Sequence, residues 1–179
     1  MTDNQYFNPF TDRLSRDIRN DLSSALLQCL QNGSTESAET VAIRYLDQRL
    51  AEVYIRYINE RLDRYQKAVA AISGKVDDPF LRSFLLWDLG LFFEMHDVLE
   101  HDWYHAEGDT KLLMQALIRA AGYYIKRECK LIPQANKIVA KALPVLDRQR
   151  EVLGRYFDPE RLIDPLRFGD SVPPKLLSE

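Results

Sequence analysis

Apolar residues along this chain recur at steps of three and four, and no run shows sustained two-residue alternation. A repeat near 3.6 buries one stripe of a helix, whereas a strand with one wet face needs a repeat of two. That feature restricts the fold to the all-α class. The stretch from 110 to 129 narrows it further. It is apolar on nearly every side and carries Ala116, Ala120, Ala121 and Gly122, which permit close contact. A helix apolar all round belongs at the centre of a bundle.

The spacing predicts a first helix over about 12–32, with Leu14, Ile18, Leu22, Ala25, Leu26 and Cys29 inward and Gly33 as its C-terminal cap. The hydroxyls of STES then open one long helix near 37–72. Its stripe runs through Ile43, Leu46, Leu50, Val53 and Tyr57, then shifts by one position to Ile58, Leu62, Tyr65, Val69 and Ile72. The shift predicts a curve or a change of packing partner near Tyr57. The segment SGKVDDP is a boundary, with Asp78 as N-cap and Pro79 as first helical residue. A short helix to 89, a helical hairpin of 92–106 and 110–129, a helix opened by Pro133 and kinked at Pro144, and a short helix after Asp158 and Pro159 follow. The domain reading is therefore an N-terminal helical extension over 1–76, a helical bundle over 77–166 and a loose tail over 167–179.

Composition excludes several function classes. With 24 basic and 27 acidic side chains the net charge is −3, which makes general nucleic-acid binding unfavourable. No apolar run approaches the roughly 20 residues that span a bilayer. The first ten residues lack the basic start and apolar run of a signal peptide, so the expected location is cytoplasmic. Cys29 and Cys129 stand alone, as buried small hydrophobes in a reducing compartment do. Neither a phosphate-cradling glycine loop nor a GxSxG nucleophile motif occurs.

The chemistry concentrates in FFEMHDVLEHDWYH, residues 92–105, which holds all three histidines with Glu94, Asp97, Glu100 and Asp102. At roughly 100° per residue, Phe92, Met95, Leu99 and Trp103 form the core arc. His96 and Glu100, four apart, lie at its edge and are expected to be half buried together. Glu94, His101 and His105 are expected on the opposite, solvated side, with Asp97 between the groups. His101 and His105 have a metal-compatible spacing but lack the glutamate that marks a zincin helix. Gln115, on the next helix, is placed to join His96 and Glu100.

LGLFFEMHDVLEHDW, followed by Gly108 and LLMQALIRAAGYY, resembles the domain-of-unknown-function family 309. The likeness rests on Gly90, Phe92, Phe93, Glu94, His96, Val98, Leu99, Glu100, Trp103, Gln115, Leu117, Ile118, Ala120 and Ala121, and extends over about residues 80–166. It implies a small helical bundle, largely bacterial and archaeal in distribution, without an established activity. It also implies that Glu94, His96, Glu100, Trp103 and Gln115 belong together. Two departures stand out: Arg119 replaces a second family glutamine, and KRECK replaces the usual Arg-Gly-Asn.

Two functional readings follow. In the first the chain is an interaction or scaffold module. Its N-terminal helices make a homodimer or dock a protein partner, and His96, Glu100 and Gln115 brace the core. In the second it is a hydrolase-like enzyme or small-ligand binder. His96 and Glu100 then act as acid/base pair or ligands to a divalent metal, and Glu94, Trp103, Gln115 and Arg119 contact the ligand. The first is preferred because it needs no third metal ligand.

Overall fold

The computed structural model describes residues 6–178, which fall into two compact units on either side of the Val76–Asp77 junction. Every regular element among them is helical. None of these helices is long and apolar enough to cross a membrane.

The first unit contains α1 (Arg13–Asn32), α2 (Glu36–Leu46) and α3 (Glu52–Ile72). Asp12 caps α1, accepting from the Ser15 amide at 2.8 Å, and the Tyr54 hydroxyl of α3 donates to the same carboxylate at 3.0 Å. Ile18, Leu22, Leu26 and Cys29 are fully buried along α1. Here the expectation of one long helix over 37–72 fails: the chain breaks at residues 47–51. The reason is length. An uninterrupted helix would run about 54 Å against the roughly 30 Å of α1, leaving half its stripe without a partner. Breaking it lets α2 and α3 each pack on α1. It also turns the stripe of α2, so that Ala38, Ala42 and Tyr45 are buried while Ile43, expected inside, is 58% exposed.

The second unit contains α4 (Pro79–Asp88), α5 (Phe92–Trp103), α6 (Gly108–Glu128), α7 (Ile132–Arg148), the short α8 (Arg150–Leu153) and α9 (Glu160–Phe168). As its composition requires, α6 is the central helix, packed by both α5 and α7 and burying Leu113, Met114, Ala116, Leu117, Ala120 and Ala121. Gly122 serves the α7 contact, since a Cβ there would stand 3.2 Å from the Ile138 side chain. The turn between α4 and α5 needs Gly90, whose φ is +69°. It sets Trp87 edge-on to both Phe92 (5.0 Å) and Tyr124 (5.5 Å). Asp147 joins α7 to α8 and α9: hydrogen bonds from Arg150 and Arg167 outweigh its desolvation and hold its carboxyl below the usual carboxylate value.

The loose tail expected over 167–179 is corrected over 167–178; residue 179 lies outside the described residues. Residues 167 and 168 close α9, and the following segment docks on the unit. Leu176 is fully buried, Trp87 Nε1 donates to the Pro174 carbonyl at 2.8 Å, and Asp88 takes the Leu176, Leu177 and Ser178 amides at 2.7, 2.9 and 3.1 Å. One carboxylate satisfying three consecutive N–H groups offsets the entropy of ordering the segment.

Asp78 fulfils its role as N-cap by accepting from the Phe80 and Leu81 amides, and it is also the acceptor for the Tyr156 hydroxyl at 2.7 Å. Burial, together with donation to Asp78, pushes Tyr156 up to about 12. Because the folded value lies above the unfolded one, near 10, the stabilisation is complete below pH ~10 and is lost as pH rises toward 12. The difference in tyrosinate absorbance between wild type and Tyr156→Phe is expected to titrate near 12, and to move down in Asp78→Asn. A midpoint near 10 in both backgrounds would show that this contact is not held in solution.

Candidate metal centre

The site is assembled on α5, which begins directly after the Gly90 turn with Leu91 accepting the Met95 amide at 2.8 Å. Phe92, Glu94, Met95, Val98 and Leu99 are buried. On a helical projection these residues cover an arc of about 160°, wider than one apolar stripe, because α4 and α6 pack on the helix together. Glu94 falls at one edge of the arc and is 1% exposed. It is therefore not on the solvated face with His101 and His105, as the sequence projection had it, and it stands outside the cluster described next.

His96, Asp97 and Glu100 occupy the uncovered part of α5, each half buried. Their ligand atoms, one imidazole nitrogen and two carboxylate oxygens, all lie within 4.8 Å of one another. His96 Nδ1 and Asp97 Oδ1 are 3.2 Å apart, and the Phe93 ring is nearly parallel to the imidazole, at 11° with centroids 6.1 Å apart. His96 and Glu100 converge because residues four apart are neighbours on a helix. Asp97 is the member of this cluster that sequence reasoning passed over. Adjacent helical residues diverge by roughly 100°, and only the side-chain rotamers bring this pair together.

The other expected site residues lie on α5, in the turn after it and on α6. Among the described residues His96 is paired with Asp97 on its own helix, and no hydrogen bond joins it to Glu100 or Gln115. Gln115 and Arg119 are half buried one turn apart on α6. Trp103 lies under Lys111, whose Nζ is 4.4 Å from the ring centroid, and its buried Nε1 has no hydrogen-bond partner among the described residues. The helix ends at Trp103, three residues before the expected 106, which leaves His105 in the following turn. His101 and His105 are exposed, with ring centroids 6.0 Å apart. Arg82, which no sequence pattern marked, pairs with Asp102 at 2.6 Å and ties α4 to the end of α5.

The first unit has a polar feature of its own, also not legible in the sequence. An open groove of about 470 Å³ lies between α1 and α2, lined by Asp21, Ser24, Gln28, Ser37, Thr40 and Arg44 among others. Asp21 is already engaged there, accepting from Arg44 at 2.6 Å and from the Tyr45 hydroxyl at 2.7 Å.

Residues 80–130 match the family model described as Domain of unknown function (DUF309), the family that the sequence resembles. The match runs from α4 to the end of α6 and therefore contains the whole His96 cluster, while the first unit lies outside it. Comparison with curated proteins and with solved structures found no match.

Proposed function

We propose that the second unit is a divalent-cation-binding module whose ligands are His96, Asp97 and Glu100. The observation that carries this reading is the convergence of one imidazole and two carboxylates within 4.8 Å on a single turn of α5. Around one ion at about 2.0–2.2 Å from each ligand, the three atoms would stand about 3 Å apart. Half-exposed side chains reach that spacing by small rotations, with no movement of the helix. One nitrogen and two oxygens suit Zn²⁺, Mn²⁺ or Fe²⁺ better than the all-oxygen cage preferred by Ca²⁺. Three protein ligands leave coordination positions open, where a bound cation polarises a water or a substrate oxygen. The Phe93 ring beside His96 limits the rotation of the imidazole and favours one orientation toward the carboxylates.

The test is titration calorimetry of untagged protein with Zn²⁺ and Mn²⁺, together with elemental analysis after desalting. One ion per chain is expected, with affinity reduced on the order of 100-fold or more in His96→Ala and in Glu100→Ala. His101→Ala is expected to bind as wild type does. Affinity that survives in His96→Ala, or falls equally in His101→Ala, would place the ion elsewhere and overturn the reading.

A further inference from the structure

The segment after α9 is bound to the second unit in the manner of a peptide ligand. Its backbone is read by side chains. Trp87 donates to the Pro174 carbonyl, Asp88 accepts the Leu176, Leu177 and Ser178 amides, and Arg161 Nη1 stands 3.5 and 3.4 Å from the Leu176 and Ser178 carbonyls. Leu176 is fully buried. Backbone held by side-chain hydrogen bonds, here around a bend at 176–177, with one buried apolar anchor, is how a recognition site holds a short peptide.

The hinge before it is short. Asp170 is itself held, its amide by the Pro165 carbonyl at 2.8 Å and its carbonyl by the Tyr123 hydroxyl at 3.3 Å. Only Ser171, Val172 and Pro173 separate this fixed point from the bound segment. Val172 of the hinge and Phe168 just before it are each 75% exposed, two large apolar side chains that the segment's own docking leaves uncovered.

We infer that this segment exchanges between copies: residues 174–178 of one chain dock on Trp87, Asp88 and Arg161 of a second, giving a two-fold dimer. Exchange keeps every docking contact, since an identical segment meets an identical site. What changes is the hinge. Three residues span at most about 10 Å, so a short hinge that must turn back in its own chain runs straight into its neighbour instead. Two hinges then pass each other and cover Phe168 and Val172 from both copies. Against this gain stands the loss of the segment's own high effective concentration, about the millimolar range for a short linker. The wild-type dimer therefore forms only as protein concentration approaches that range.

Complementation of two full-length variants tests this. Asp88→Lys keeps the segment but removes the acceptor for its amides. Leu176→Asp keeps the acceptor but spoils the anchor. Each alone is expected to remain monomeric by light scattering. Their equimolar mixture is expected to form a heterodimer at least tenfold below the wild-type dimerisation concentration, because neither component has a competing intact contact within its own chain. A mixture that stays monomeric at about 0.5 mM, half the effective concentration of a short linker, would overturn the inference, provided circular dichroism shows both variants helical. So would dimerisation of either variant alone to the wild-type extent. If Leu176→Asp loses helicity, Leu176→Ser takes its place with the same expected outcomes.

Discussion

Trp87→Ala lowers the stability of the second unit by about 3–5 kcal/mol. The indole is 1% exposed and stands edge-on to Phe92 of α5 and Tyr124 of α6, so its loss opens a cavity where three helices meet. It also removes the donor to the Pro174 carbonyl and so loosens the docked segment. Against a typical domain stability of about 5–15 kcal/mol, this brings the unit close to unfolding. Two units need not unfold together, so a probe confined to one of them is required. Both tryptophans, Trp87 and Trp103, lie in the second unit, and Trp103 remains in the variant as its fluorescent reporter. A urea midpoint by Trp103 fluorescence that moves by less than the equivalent of about 1 kcal/mol would contradict the packing described, since a buried ring of this size costs several times that.

Asp88→Ala releases residues 174–178. The amides of Leu176, Leu177 and Ser178 lose their common acceptor, and Leu176 gives up a buried site worth about 2 kcal/mol. Lys175, whose ammonium donates to the Asp88 carbonyl, is then presented with its following peptide bond in a mobile segment. Where cleavage follows the population of the open form, about 2 kcal/mol corresponds to a roughly 30-fold faster tryptic cut after Lys175. Far-ultraviolet circular dichroism is expected to change little, because residues 170–178 carry no helix. Unchanged cleavage after Lys175 in Asp88→Ala would mean that the carboxylate does not hold the segment.

How much of this could be read from the sequence depended on how local the determinant was. The capping roles of Asp78 and Gly33, Pro79 as first helical residue, and the central place of α6 were all legible, because each rests on residues within a turn or two of one another. The break between α2 and α3 was not legible, because the three-and-four-residue stripe runs through it and the length of the partner helix that forces it is not a local signal. At the site, the i, i+4 pair His96 and Glu100 was legible from helical geometry. Asp97 was not, since its convergence on His96 is a matter of rotamers. Glu94 was misassigned because a projection takes one buried face for granted, while α5 is covered by two helices. His96, Glu100 and Gln115 share residue types suited to a network, yet among the described residues no hydrogen bond joins His96 to the other two.

The sequence by itself determined the all-α class, most helix starts and stops, the central helix and the concentration of imidazole and carboxylate in residues 92–105, on α5 and the turn after it. These follow from periodicity and capping, whose range is a few residues. Only the tertiary structure decided which side of α5 is covered, where the chain between α1 and α3 folds back, and that residues 174–178 are docked rather than loose. Those outcomes depend on pairs such as Asp88 and Ser178, 90 positions apart, whose meeting no local pattern encodes and only packing against a formed helical surface can stabilise.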